Sequence, residues 1–165
     1  MRVITGSARG VRLNTPEGRD TRPTTERVKE ALFSILAEEI YGSRVLDLFS
    51  GTGNLGIEAL SRGADECVFG DNSRESIRLI KENIAHCGAE DGAVVMPGDF
   101  RKLLMNVRGT FDIILLDPPY GKGLMEPCFE LIRERGLLSD GGVIVAEHRK
   151  EERFPDELQG YRKVK

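Results

Sequence analysis

The sequence predicts an α/β fold built on a mostly parallel, doubly wound sheet. Three observations support this prediction. Short, almost continuous apolar runs alternate with helical patterns beyond residue 44, which is typical of parallel strands covered on both faces. A glycine-rich turn follows the first run. With 165 residues, 31% charged and 39% hydrophobic, the chain has the size and composition of one globular domain.

The apolar runs predict five strands, and the segments between them predict helices. The expected strands are 45–49, 67–70, 93–96, 111–116 and 143–146. Helices are expected near 55–62, through Ile77, Ile80 and Ile84, and over 124–135, and a helix or turn is expected near 101–107. The last five residues, 161–165, read as the beginning of one more strand.

Residues 1–22 form a basic arm in front of the main domain, residues 23–165. Val3–Thr5 and Val11–Leu13 flank a glycine-containing loop and predict a short β-hairpin. The arm has a net charge of +3. Since the whole chain has a net charge of -3, residues 23–165 have a net charge of -6. This asymmetry is typical of an arm that binds an anion, most simply a phosphate backbone. On charge alone, an extension that is merely exposed to solvent is an equally good interpretation. Its arginines are Arg2, Arg9, Arg12, Arg19 and Arg22.

A helix is expected directly after the arm. Thr24 or Thr25 can cap it, and Glu26 then lies in the first turn, where a negative charge is favourable. Apolar residues recur at helical spacing up to a stop at Tyr41–Ser43; they are Val28, Leu32, Ile35 and Leu36.

Several classes of protein are excluded by what the sequence lacks. No apolar run approaches the ~18 residues of a membrane span, and the first residues have no signal-peptide core, so a cytoplasmic protein without a membrane partner is expected. The three cysteines form no C-x-x-C pair and the two histidines have no metal-ligand spacing. We therefore expect no metal site.

The glycine turn after the first strand predicts a nucleotide site. Gly51, Gly53 and Gly56 fit G-x-G-x-x-G between a strand and a helix, and Asp71 ends the second strand, where a carboxylate can accept hydrogen bonds from ribose hydroxyls. Asp47, before the turn, would repel a pyrophosphate and suits a cationic ligand such as S-adenosylmethionine. A nicotinamide cofactor, or a turn without a ligand, remains an alternative.

The fourth strand ends in Asp117-Pro118-Pro119-Tyr120, the most informative stretch of the chain. Prolines stiffen the turn, so the Asp117 carboxylate and the Pro118 carbonyl form a rigid pair of acceptors. Such a pair suits the two hydrogens of an exocyclic amine, and the Tyr120 ring can stack on a base. Holding both hydrogens favours a pyramidal nitrogen whose lone pair can attack a sulfonium methyl.

Two further positions belong to the same expected crevice. Asp99, after the third strand, can accept the N6 amine of a cofactor adenine, with Phe100 beside the ring, although a helix N-cap is an equally good role for Asp99. Asn72, next to Asp71, is also assigned to the cofactor site.

These segments resemble the class I S-adenosylmethionine-dependent methyltransferases, and more narrowly the bacterial RsmD family of ribosomal RNA guanine-N2 methyltransferases. The resemblance covers almost the whole chain. It is carried by RVITGSARG from Arg2, RPTTERVKEALF from Arg22, DLFSGTGNLGIEALSRGA from Asp47, and DPPY from Asp117.

The resemblance implies a Rossmann-like sheet of seven strands, a monomer, and methylation of one guanine N2 in small-subunit ribosomal RNA, as RNA or as an assembling 30S particle. It implies that Gly51, Gly53, Asp71 and Asp99 contact the cofactor, and that Asp117, Pro118 and Tyr120 hold the base. An N-terminal hairpin would help to hold RNA, which assigns Arg2, Arg9, Arg12 and Arg22 to RNA binding. Two features depart from the family: position 71 is aspartate rather than glutamate, and a last antiparallel strand is missing.

Other functions remain open at this level. An adenine-N6 methyltransferase would share the Asp-Pro-Pro-Tyr segment, but it would usually need a target-recognition domain. A nicotinamide-dependent oxidoreductase would leave that segment and the basic arm unexplained. A non-catalytic RNA-binding module would leave the Asp117–Tyr120 stretch without a role.

Overall fold

The computed structural model describes residues 1–16, 23–119, 121–147, 157–158 and 160–162. Its strands are β1 (Arg44–Leu48), β2 (Glu66–Asp71), β3 (Ala93–Pro97), β4 (Phe111–Leu116), β5 (Leu138–Ala146), β6 (Glu157–Leu158) and β7 (Tyr161–Arg162). Its helices are α1 (Pro23–Ile35), α2 (Ala37–Ile40), α3 (Asn54–Ser61), α4 (Arg74–His86), α5 (Phe100–Asn106) and α6 (Met125–Arg135), with a short 3-10 helix at Glu90–Gly92.

The predicted doubly wound sheet is confirmed. Five strands run parallel in the order β3-β2-β1-β4-β5. Val45 of β1 is in register with Cys67 of β2 on one side and with Ile113 of β4 on the other. The chain therefore reverses its direction of winding between β1 and β4, and ligands of such sheets bind at the carboxyl ends of the strands beside that switch point.

Two apolar layers cover the sheet, as the near-continuous apolar strands predict. Side chains alternate along a strand, so Val45 faces one layer while Leu46 and Leu48 face the other. The first layer contains residues of α1, α2, α3 and α4, together with Val3, Ala8 and Leu13 of the N-terminal segment. The second contains residues of α5 and α6.

The remaining described strands do not join the main sheet. β6 and β7 pair with each other antiparallel, with Leu158 in register with Tyr161. The seven strands implied by the family resemblance thus appear, in the described part of the chain, as five in one sheet and two in a separate ribbon. β7 lies within the segment predicted to begin a strand.

The predicted N-terminal hairpin is present with one antiparallel bridge, between Arg2 and Arg12. The Val3 N–H donates to the Val11 carbonyl at 2.9 Å and the Leu13 N–H donates to the Met1 carbonyl at 2.8 Å. We call residues 1–16 the N-terminal hairpin segment. Its apolar side chains pack into the first core layer, so this segment is attached to the domain along its length.

The expectation for the first helix needs two corrections. α1 begins at Pro23, so Thr24 and Thr25 lie in its first turn rather than cap it; proline suits that position because it lacks the N–H that would go unbonded. The helix also breaks at Leu36, and Val28 and Ile35 are 52% and 56% exposed. Leu36 is buried and Leu32 is half-buried against the first core layer, so only part of the periodic apolar stripe faces the core.

β5 begins at Leu138, five residues before the predicted start, because Gly141 and Gly142 stay within the strand.

No helix in the described residues is long and apolar enough to cross a membrane. Among the same residues, no cluster of histidine, cysteine and carboxylate side chains has the arrangement of a metal site.

Candidate cofactor and base-binding crevice

The turn between β1 and α3 has an unusual backbone. Phe49, a residue with a side chain, adopts a φ of 65°, and Gly51 and Gly53 have φ values of 61° and 83°. Such a conformation is uncommon for a bulky residue and is often found where a ligand binds. The Ser50 N–H donates to the Gly70 carbonyl at 2.8 Å, so the turn is tied to the end of β2.

Gly56 has a packing role. A Cβ at this position would overlap the ring of Phe69 and would lie 2.7 Å from the Sγ of Cys67. The absence of a side chain lets α3 approach β2 closely, which is the role of the third glycine in this type of turn. The close approach fixes the N-terminus of α3 at the edge of the crevice.

Asp47 lies beneath the turn rather than at the surface. Only 2% of the residue is exposed, and its Oδ2 accepts a hydrogen bond from the Gly56 N–H at 3.0 Å. Burial raises the pKa of Asp47 to about 7; the Gly56 hydrogen bond opposes this shift, and the charges of Asp117 and Asp71 add to it. The residue predicted to attract a cationic cofactor is thus a buried carboxyl that titrates near neutral pH.

Asp71 connects the second strand to the glycine turn. Its Oδ2 accepts from the Gly51 N–H at 2.9 Å, and its Oδ1 accepts from the Ser73 N–H at 2.9 Å. A carboxylate oxygen has two lone pairs, so each oxygen can accept one more hydrogen bond. The neighbouring Asn72 is exposed at the same edge.

Asp99 and Phe100 lie where β3 passes into α5. Asp99 caps α5, accepting from the Arg101 N–H at 2.8 Å, which is the alternative role considered for this residue. The buried Phe100 ring lies 5.4 Å from the ring of Phe49. Sequence reasoning missed Phe49, although its position two residues before Gly51 was a usable signal.

The Asp-Pro-Pro turn follows β4 beside the glycine turn. Leu48, the last residue of β1, is in register with Leu116, so Asp117 and the turn after Leu48 leave the sheet at the same edge. Asp117 is exposed and Pro118 is buried. Loss of hydration on its protein side raises the pKa of Asp117. Tyr120, predicted to stack on the base, lies outside the described residues.

Glu147 is a crevice residue that sequence reasoning missed. It follows β5, and its N–H donates to the Leu116 carbonyl at 3.0 Å, one residue before Asp117. It is half-buried, and both burial and the charge of Asp117 raise its pKa. The available signal was a carboxylate directly after the last predicted parallel strand.

The predicted RNA-binding arginines are on the surface where the structure describes them. The Arg2 side chain is 63% exposed and lies 3.7 Å from Glu26, and both Arg9 and Arg12 are exposed. Arg22 lies outside the described residues.

A buried ionic cluster anchors the N-terminal hairpin segment to α3. The Glu58 carboxylate accepts from the N–H groups of Ile4 and Thr5 at 2.9 and 3.1 Å and lies 3.0 Å from the Lys29 ammonium. Lys29 also donates to the Arg2 carbonyl and to Asn54, the first residue of α3. The segment that carries the basic residues is thereby fixed to the helix that begins at the glycine turn.

Asn83 makes a second link between the same parts. Its amide donates to the Thr52 carbonyl in the glycine turn at 2.9 Å and to the Asn14 carbonyl at 3.0 Å, and it accepts from the Asn14 N–H at 2.6 Å. Asn83 is fully buried. The turn and the hairpin segment therefore share one buried side chain.

This topology, with a glycine turn after β1 and an Asp-Pro-Pro turn after β4, is that of the class I methyltransferases. A similar solved structure is that of "Putative methyltransferase yhhF" from Escherichia coli, with a TM-score of 0.84 and 33% identity, covering 94% of this chain and 84% of that chain. The match of residues 1–165 to the model of the family described as "Conserved hypothetical protein 95" shows that the chain belongs to that family. The resemblance to the RsmD family is thereby confirmed.

Two curated relatives match most of the chain. "Putative rRNA methyltransferase YlbH" of Bacillus subtilis is 42% identical over 159 residues, covering 94% of this chain and 86% of the relative. "Ribosomal RNA small subunit methyltransferase D" of Escherichia coli is 36% identical over 156 residues, covering 94% and 78%.

Proposed function

We propose that this protein is an enzyme that transfers a methyl group from S-adenosylmethionine to the exocyclic N2 of one guanine in small-subunit ribosomal RNA. One observation carries the proposal: the acceptor pair of Asp117 and Pro118 leaves the sheet directly beside the glycine turn. The names of the relatives support the substrate class, since they include a small-subunit ribosomal RNA methyltransferase.

The chemistry of the crevice fits the cofactor. Asp71 has lone pairs left for the ribose hydroxyls, with Asn72 beside it. Phe49 would provide aromatic surface for the adenine, supported by the buried Phe100 ring 5.4 Å away, and the second Asp99 oxygen would accept from the adenine amine. When bound, S-adenosylmethionine supplies an electrophilic sulfonium methyl.

The glycine turn and the residue beneath it would bind the cofactor. Gly51 would let it approach the main chain, because a Cβ there would project into open space, and Gly53 supplies the positive φ that the turn requires. Asp47 lies below the turn, where its ionised form attracts positive charge. With a pKa of about 7, it is partly ionised at neutral pH, and a cation nearby favours the ionised form further.

The Asp117 turn would prepare the base. The Asp117 carboxylate and the Pro118 carbonyl accept the two N2 hydrogens, so the nitrogen lone pair is localised and directed at the methyl group. Most of the rate enhancement then comes from position and electrostatics. The new C–N bond would use the nitrogen lone pair while the sulfur keeps the electrons of the broken S–CH3 bond, and the surplus N2 proton would pass to Asp117 or to water. Tyr120 would stack on the ring.

The N-terminal hairpin segment would bind the RNA backbone. Arg2, Arg9 and Arg12 are exposed, and Arg22 continues the same basic stretch of sequence. Lys29 and Glu58 fix this segment against α3, so phosphate contacts made there position the RNA relative to the crevice. We propose that the protein acts as a monomer in the cytoplasm, on ribosomal RNA within an assembling 30S particle.

The test uses small ribosomal subunits from cells that lack this enzyme. Purified protein, labelled S-adenosylmethionine and either these subunits or their deproteinised RNA are combined, and the modified nucleotide is mapped and identified. The proposal expects label in N2-methylguanine at one position, with subunits the better substrate. Label in N6-methyladenine, or binding of NADH without binding of S-adenosylmethionine, would contradict it.

A further inference from the structure

We propose that Glu147 makes the enzyme specific for guanine, by accepting a hydrogen bond from the N1–H of the base whose N2 amine is held by Asp117 and Pro118. This inference rests on the proposed function and identifies the residue that separates guanine from adenine. The Asp-Pro-Pro-Tyr turn alone cannot distinguish guanine from adenine, because both purines carry an exocyclic amine.

The position of Glu147 follows from strand register. Leu116 at the end of β4 is paired with Ala146 at the end of β5, and the Glu147 N–H donates to the Leu116 carbonyl at 3.0 Å. Asp117 and Glu147 are therefore the next residues along two adjacent parallel strands. Because parallel strands are about 4.8 Å apart, this register places the two residues next to each other at the sheet edge, close enough for the charge of Asp117 to act on the Glu147 carboxyl.

Both carboxylates are available for a ligand. Across the residues that the structure describes, no N–H or O–H donates a hydrogen bond to the side chain of Asp117 or of Glu147, and no cation pairs with either. Glu147 is nevertheless half-buried. Burial, and then the negative charge of Asp117, raises its pKa; an N–H donated by the substrate would lower that pKa again and favour the ionised form, which accepts the hydrogen bond.

The two purines differ at the atom next to the amine. Guanine presents three hydrogens on adjacent nitrogens, two on N2 and one on N1. Adenine presents a lone pair at N1 beside its N6 amine. An acceptor beyond the Asp117 pair therefore gains a hydrogen bond from guanine and meets a lone pair in adenine. A site that hydrogen-bonds a substrate N–H strongly rejects an analogue that lacks it.

The base 2-aminopurine tests this contact, because it keeps the 2-amine but has a lone pair at N1. The target nucleotide is first mapped with wild-type enzyme. Subunits are then reconstituted with RNA carrying guanine or 2-aminopurine at that position, and kcat/KM for methyl transfer is measured with wild type and Glu147→Gln. The glutamine amide can turn its NH2 toward the N1 lone pair, so it should relax the preference.

Wild type should prefer guanine by about tenfold to a hundredfold, the usual range for one well-formed contact to a base edge. In Glu147→Gln this ratio should fall by about tenfold or more. Because 2-aminopurine also lacks O6, only the change in ratio between enzymes reports the contact of Glu147 with N1. Glu38→Gln, an exposed glutamate on α2, is the matched control and should leave the ratio unchanged.

An unaltered ratio in Glu147→Gln would overturn the proposal. So would equal use of guanine and 2-aminopurine by the wild type, a measurement that does not depend on how well the variant folds. Failure of the wild type to methylate guanine in any subunit would instead refute the proposed function, and this inference with it.

Discussion

Asp47 should couple the stability of this protein to pH. Its carboxyl is buried, and its pKa of about 7 is well above the ordinary 3.8. A carboxyl that binds its proton more tightly in the folded chain stabilises the fold at low pH. That contribution is lost as pH rises from about 4 to about 7. The sign is opposite to that of a surface carboxylate in an ion pair.

The size of the effect follows from the two pKa values. Three units of difference correspond to about 4 kcal/mol between the low-pH and high-pH limits. Between pH 5 and pH 8 the wild type should lose about 2 to 3 kcal/mol through this group alone. Asp47→Asn keeps an oxygen to accept from the Gly56 N–H but cannot ionise, so the variant should not show this loss.

Urea unfolding followed by circular dichroism at pH 5 and pH 8 measures the difference. The gain in stability of Asp47→Asn over wild type should be about 2 to 3 kcal/mol larger at pH 8 than at pH 5. Asp91→Asn, a change at an exposed carboxyl, controls for the general loss of charge. Parallel pH dependences for wild type and Asp47→Asn would refute the argument that burial holds this carboxyl protonated.

Three further predictions test packing, the buried ion pair and the RNA surface. Gly56→Ala should lower the free energy of unfolding by at least about 2 kcal/mol in a urea titration, since the added methyl overlaps side chains of β2. Glu58→Gln leaves the Lys29 ammonium without its counter-charge in the core and should cost about 3 to 5 kcal/mol; a loss below about 1 kcal/mol would contradict the importance of the pair. Arg9→Ala and Arg12→Ala should each reduce the slope of log affinity for RNA against log salt by about 1, and an unaltered slope would remove these residues from the interface.

Much of the fold was predictable from local patterns. Strands such as 111–116 are short, apolar and bounded by polar turns, and they alternate with helices, which leaves a parallel sheet as the simplest arrangement. The glycine turn was also predictable from a local pattern, because the positive φ values at Gly51 and Gly53 favour glycine. The first helix was harder to predict: it breaks at Leu36, and of the periodic apolar residues Leu32 and Leu36 pack against the core while Val28 and Ile35 are exposed.

The site was harder to predict because parts of it depend on how the strands pair and on how deeply a side chain is buried. The sequence identified Asp47 as acidic but not as buried beneath the turn with a raised pKa. Glu147 becomes a crevice residue only through the pairing of β5 with β4, and these strands are separated in the sequence by α6. Asn83 joins the glycine turn to Asn14, a contact across 69 residues.

The central claim is that the turn containing Asp117 acts on the base while the glycine turn holds the cofactor. Its most direct test measures two properties of one variant, Asp117→Ala. The first is the affinity for S-adenosylmethionine, by calorimetry, and the second is the single-turnover rate of methyl transfer to small ribosomal subunits. We expect cofactor affinity within a few-fold of wild type and a transfer rate at least about 100-fold lower. A transfer rate equal to that of the wild type would contradict the account.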